Sequence, residues 1–379
     1  MTQRAAERPA GLSQLIVDEW FLAVSIGTSV LFAVSGPSLL HGFDQRYWLA
    51  TVFILLFAVI MGSVFSAVRH ADHLAERLGE PYGTLVLTIS VTSIEVVSIS
   101  TIMLEGANNP TLARDTLFSV VMIILGGMVG LSLLLGALRH QEQSHNLQGS
   151  NAYLGVIVPL AVLTMVMPNY TVTTPGPLFS SVQEIGLAVL CLGLYGVFLA
   201  LQTGRHRGYF TLGEEETTIE VPHVSTGATP SSLRSALLLV AYLFSIVFLV
   251  HQLSIPIDYA IETLAAPVAL GGLILAVLVA TPEAIGAIKA ARANRLQRSV
   301  NIFLGSVLST IGLTVPTMLA ISWLIGRNII LGVEHTSLVL LLLTLAVSVI
   351  TFSSKRTNLL QGAVHVVLFL AFLMLIFES

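Results

Sequence analysis

The chain has 379 residues, of which 55% are hydrophobic and only 10% charged, with a formal net charge of −4 and a mean hydropathy of +0.88. A water-soluble domain of this length cannot bury so much apolar surface, so much of it must face lipid or neighbouring spans. The one cysteine, Cys191, lies inside an apolar run, which excludes a disulfide framework and a cysteine-rich metal centre.

The first twenty residues carry Arg4, Arg8, Asp18 and Glu19 without a convincing cleavage site, so no secretory signal peptide is expected. A stretch of about 20 apolar helical residues crosses the hydrocarbon core. Runs of that kind predict eleven spans, near 20–40, 48–68, 83–104, 115–136, 151–167, 184–202, 233–253, 267–290, 300–323, 337–354 and 359–377. The eighth grades into polar residues in its second half.

With the N-terminus in the cytoplasm, fourteen Lys and Arg residues fall inside and three, Arg46, Arg114 and Arg327, outside. That bias predicts an N-inside, C-outside protein of the bacterial inner membrane, whose partners are the lipid bilayer and small ions. Arg292, Arg295 and Arg298 read as topology anchors, and no nucleic-acid partner is expected. Residues 203–232, rich in Gly, Thr and Ser and carrying Glu214, Glu215, Glu216 and Glu220, form a polar cytoplasmic linker that divides the chain.

The two parts share a pattern. Asp72 and Glu76 precede Gly83 and, twelve residues on, Glu95; Asp258 and Glu262 precede Gly271 and, again twelve residues on, Glu283. Each segment is followed by an apolar span with a Leu-Gly-small step, Leu125-Gly126-Gly127 or Leu304-Gly305-Ser306. The third span starts on the cytoplasmic side and the eighth on the other, so the similar segments run in opposite directions, the arrangement that gives many secondary transporters a midplane site. The expectation is an all-α membrane protein of about eleven spans: 1–47 with an extra first helix, 48–202 and 233–379 as five-helix inverted repeats, and 203–232 as the linker.

Glu95 is the sharpest residue. Twelve residues of helix rise about 18 Å, which puts it near mid-membrane. A charged group there costs roughly 2.5–3.5 kcal/mol, so it must be protonated, paired or turned to a polar cavity. Thr88 and Thr92 share its helix face as candidate oxygen ligands. Glu283 is its counterpart. Pro282 removes a backbone donor, so the helix is expected to bend or break near Leu278 and Val279. Ser306, Ser309 and Thr310 of the ninth span are further candidate hydroxyl donors. His70, Asp72, His73 and Glu76 are candidates for an entrance or proton relay, as are Asp258 and Glu262 on the opposite side.

Two midplane carboxylates repel when both are ionised, and either a cation or protons offset that charge. Competition of the two for one site is a sufficient antiport mechanism, with Glu95 and Glu283 holding the ion and no cofactor required. A cation channel with acidic pore residues is the alternative. An intramembrane enzyme is not expected, for want of paired aspartates, a His-Glu-x-x-His motif or a Ser-His constellation.

Residues 70–96 and 280–316 resemble the two α-repeats of the calcium/cation antiporter superfamily, in particular its bacterial ChaA-type sodium-calcium/proton antiporters. The resemblance implies export of cytoplasmic Ca2+ or Na+, and of K+ as a further candidate, in exchange for H+. Oligomeric state, including a homo-oligomer, stays open. The wider family's Gly-Asn-x-x-Glu signature places its glutamates on Glu95 and Glu283, but here Val91-Thr92-Ser93-Ile94 and Val279-Ala280-Thr281-Pro282 precede them. Losing two amide oxygens implies a broader cation range.

Overall fold

The computed structural model describes residues 19–78, 82–105, 110–211 and 232–378, the side chains of residues 76, 82–88, 102–105 and 378 aside. Eleven helices follow in order: α1 Trp20–Leu39, α2 Arg46–Leu78, α3 Tyr82–Glu105, α4 Leu112–His140, α5 Leu147–Tyr170 and α6 Ser181–Thr203, then α7 Ser232–Glu262, α8 Ala269–Arg292, α9 Leu296–Ile325, α10 His335–Phe352 and α11 Leu359–Glu378. Among the described residues ten are long and apolar enough to span a membrane, and α3 has a shorter apolar stretch, Ile89–Thr101. Their outer faces are studded with exposed Leu, Ile, Val and Phe, as lipid contact requires.

Beyond α1, the helices repeat in kind. α2 and α7, of 33 and 31 residues, are the longest of each half and pack along one another. α3 and α8 have 24 residues each. α4 and α9 each pass through a π-helical turn, Ile123–Met128 and Thr310–Thr314. The fold is an all-α bundle whose two sets of five helices follow the same order of kinds, as inverted repeats do.

Close helix contacts depend on missing side chains. A Cβ on Gly130 would sit 2.7 Å from Val366 N and one on Gly362 2.5 Å from Leu134 N, so α4 and α11 touch backbone to backbone. A Cβ on Gly272 would come within 2.7 Å of the Asp115 carbonyl carbon and Thr116 N, which ties α8 to α4.

The halves are also joined at both ends of the bundle. At one end Gln143–Ser144 pairs antiparallel with Arg356–Thr357, and the Gln143 amide donates to Ala291 O at 2.7 Å. At the other end Val333 N donates to Met165 O at 2.9 Å, and Arg114 reaches Gly332 O at 3.3 Å and Glu334 at 3.4 Å.

The expected interruption near Leu278 and Val279 is not there: α8 runs unbroken through Pro282. Beside it Thr281 Oγ1 donates to Val277 O at 2.5 Å, while the carbonyl left without its helical donor is that of Leu278. The irregular backbone sits instead in the π turns of α4 and α9, the helices that directly follow α3 and α8, and in a third π turn at Val162–Val166 of α5.

Candidate carboxylate site

Glu95 and Glu283 each lie near the middle of a 24-residue helix, α3 and α8. A single neighbouring helix holds both. On α9, the Ser306 hydroxyl donates to Glu283 Oε2, and the Thr310 hydroxyl, one turn on, donates to Glu95 Oε2 at 3.0 Å. Side chains four residues apart stand about 5–6 Å from each other on one helix face. The two carboxylates are thereby gathered on one side of α9, close enough for the Glu283 charge to act on Glu95. Thr314, a further turn along within the π segment, also faces Glu95.

The two acids differ in access. A cavity of about 480 Å³ reaches Glu283, Ser306 and Ser309, and its walls include Asp72, Tyr153, Gln202, Arg207, Arg298 and Asn301. It opens toward the end of the bundle where α9 begins. Glu95 lies behind the cavity wall at 2% exposure, and its Oε1 has no hydrogen-bond partner among the described residues. A buried carboxylate oxygen without a donor is costly unless a proton or a cation occupies the place beside it. The residues present, two carboxylates and several hydroxyls, are hard oxygen donors suited to an alkali or alkaline-earth cation as cargo.

The other sequence candidates divide. Ser306 and Ser309 are at the site, Ser309 lining the cavity and donating to Ser306 O at 2.9 Å. Thr92 is buried on α3 one turn before Glu95. Asp72 lines the cavity, and its charge acts on Glu283. His70 turns away from the cavity to face Glu19 and Tyr242. His73 follows Asp72 on α2, half-buried. Asp258 and Glu262 lie one turn apart at the far end of α7, within electrostatic reach of each other and away from the carboxylate pair. The side chains of Thr88 and Glu76 lie outside the described residues. Thr314, Tyr153, Gln202 and Asn301 were not singled out in the sequence; the one signal for Thr314 is its place in the hydroxyl-rich run Ser306, Ser309, Thr310, Thr314.

Comparison with known proteins bears on the family and the fold. Residues 48–204 and 234–378 match the family described as sodium/calcium exchanger protein. The chain is 39% identical over 354 residues to the sodium-potassium/proton antiporter ChaA of Escherichia coli, covering 92% of this chain and 96% of that one. It is 24% identical over 353 residues to a Ca2+/H+ antiporter of Synechocystis, covering 86% and 92%. The solved structure of native YfkE superposes with a TM-score of 0.72 at 18% identity, covering 94% of this chain and all of that one. The chain is thus a multi-pass protein of the bacterial inner membrane and a secondary transporter rather than an enzyme. It belongs to the sodium/calcium exchanger family.

Proposed function

We propose that this exchanger exports cytoplasmic Na+ or Ca2+, with K+ as a further cargo, in return for protons, and that cation and protons compete for Glu95 and Glu283. The observation that carries the reading is the paired grip of α9, whose Ser306 and Thr310 bring one carboxylate from each half to a common place. Two ionised carboxylates held together repel each other. A cation entering between them offsets the charge, and protonation of the pair offsets it too and lets the cation go. The bare doubly charged site is too costly to change sides, so each crossing carries one occupant or the other. Two protons for one Ca2+, or one proton for one Na+, move no net charge; any other ratio couples to the membrane potential at about 2.3 kcal/mol per charge per 100 mV.

The cavity faces the cytoplasm in this reading, because Arg207 and Arg298 at its mouth belong to the basic, inward side. The N-terminus is then inside and the C-terminus outside. Residues 48–202 and 233–379 form the two repeats, 1–47 the extra helix with its leading segment, and 203–232 the linker. A cation enters past Asp72, meets Glu283 and Ser306 first, and reaches the buried Glu95 one turn deeper. The name of the Escherichia coli relative favours monovalent cargo, and the missing asparagines beside both glutamates agree with a site not specialised for Ca2+.

Everted vesicles carrying a pH-sensitive dye test the proposal. Added Na+, K+ or Ca2+ dissipates a preformed proton gradient, and Glu95→Gln or Glu283→Gln abolishes the response. Normal exchange by both variants refutes the assignment of the site. A cation current without proton counterflow refutes antiport in favour of a channel.

A further inference from the structure

The first helix stands outside both repeats and outside the carboxylate site, yet it is fastened by polar groups at two heights. Glu19, just before α1, accepts from Arg69 Nη2 at 2.8 Å, from His70 Nε2 at 3.2 Å and from the Tyr242 hydroxyl at 3.3 Å. Because an ionised carboxylate only accepts, His70 Nε2 carries the proton in that bond. The His70 ring also stacks on Tyr242, centroids 5.8 Å apart. Six residues further along, Ser25 Oγ lies 2.8 Å from Ser63 Oγ and 2.6 Å from Ser245 Oγ, and Ser29 Oγ is 2.9 Å from Ser245. Arg69, His70 and Ser63 belong to α2; Tyr242 and Ser245 belong to α7. α1 therefore grips the leading helix of each half.

The upper grip bears on the vestibule. Val68 and Asp72, four residues apart on α2, share the face that lines the cavity. His70 lies two residues from each, about 200° around the helix, on the opposite face. At this level α2 has one side in the aqueous pathway and the other in the hands of Glu19. A helix held on its back presents its front in a fixed position, and a charge-assisted bond holds more firmly than a neutral one.

We infer that Glu19 is a positioning residue of the transport pathway, its carboxylate acting through Arg69, His70 and Tyr242 to fix where α2 presents Val68 and Asp72 to the vestibule. Three polar partners of Glu19 and the α1 hydroxyls would be unneeded if α1 served only to fill space against lipid, where apolar side chains suffice. Burial pushes the Glu19 carboxyl up, but the His70 bond, the Arg69 and His70 charges and the Tyr242 bond outweigh it, so the group stays below the usual carboxylate range. The carboxylate is thus ionised whenever the transporter works near neutrality. The inference rests on the vestibule being the ion pathway, and its test has one arm independent of transport.

In the full-length protein with Cys191→Ser and Val68→Cys, a water-soluble maleimide reports access to the vestibule face of α2. Glu19→Gln, nearly isosteric, is expected to change the labelling rate by about fivefold, the ratio that follows when charge-assisted bonds become neutral ones, and Glu19→Asp to stay near the parent. Arg69→Met, at an exposed position that tolerates change, shifts the rate in the same direction as Glu19→Gln. In vesicles, Glu19→Gln raises the cation KM severalfold at unchanged kcat per molecule, and Glu19→Asp restores it. Equal labelling in parent and Glu19→Gln overturns the inference, as does an equal shift in Glu19→Gln and Glu19→Asp or a fall in kcat without a change in KM. If the parent exchanges no ions while labelling still depends on Glu19, antiport fails and the positioning role stands.

Discussion

Ser306 and Thr310 stand one turn apart on α9, and the first donates to Glu283 while the second donates to Glu95. One helix of the second half thus supports an acid from its own half and an acid from the other. If the carboxylates hold the ion as proposed, the hydroxyls bonded to them belong to the same site.

Thr310→Val keeps the shape and removes the hydroxyl that reaches Glu95. Hydrogen bonds to charged groups are worth about 1.5–3 kcal/mol, so the variant is expected to weaken apparent cation affinity at least about tenfold. Thr310→Ser keeps the donor and should stay near wild type. Concentration dependence of the proton-gradient response in vesicles measures both, and equal KM values in the two variants would count against the hydroxyl as a working part.

Gly272→Ala places a methyl against the backbone of Asp115 and Thr116, where no side-chain rotation relieves it. Overpacking of this kind costs about 1–3 kcal/mol. A lower thermal midpoint in detergent is the expected result, whereas Gly155→Ala, which meets nothing within 4 Å, should leave it unchanged.

His145 sits between α4 and α5, buried, with its ring edge-on to Phe352 at 5.4 Å. Burial pushes its imidazole down to about 4, and neither ring nitrogen has a hydrogen-bond partner among the described residues to oppose it. The folded group resists a proton that the unfolded one takes up near 6.5, so stability from this source is complete above pH 6.5 and falls as the pH drops from there toward 4. The loss is up to about 3 kcal/mol. Thermal melts from pH 7.5 to 4.5 should show this fall, and His145→Phe should flatten it.

For Glu19 the sign is opposite in origin. Its folded carboxyl lies below the ordinary carboxylate range, so its hold on α2 is complete above the unfolded value and lost only as the pH falls through the depressed one. Labelling at Val68→Cys should therefore keep its dependence on Glu19 from pH 8 to pH 5. Disappearance of that dependence already between pH 8 and 7 would contradict the ionised hold.

The spans were readable because lipid imposes long apolar runs, and each stands out without reference to its neighbours. The two central glutamates were readable for the complementary reason that acids inside such runs are expensive. The partners of those acids were not. That Thr310 meets Glu95 while Ser306 meets Glu283 depends on how α9 lies across α3 and α8, and no local pattern encodes that crossing. Proline's local preference is to bend or break a helix, yet α8 stays helical through Pro282, so the break is absent. The π turns of α4 and α9 carry no proline at all. Nearness in sequence to Asp72 suggests the entrance for His70, but two residues along a helix is just over half a turn, and it faces the other way.

The short strands Gln143–Ser144 and Arg356–Thr357, with the amide of Gln143 on Ala291 O and the bond from Val333 to Met165 at the far end, give the halves complementary edges at both ends of the bundle, besides the bonds that Asn146 and Asn301 make to the start of the joining segment at Gly208, Phe210 and Thr211. Two polypeptides made from separate messages, one ending at Thr211 and one beginning at Ser232, carry these complementary edges between them, and their co-expression is expected to yield an associated pair.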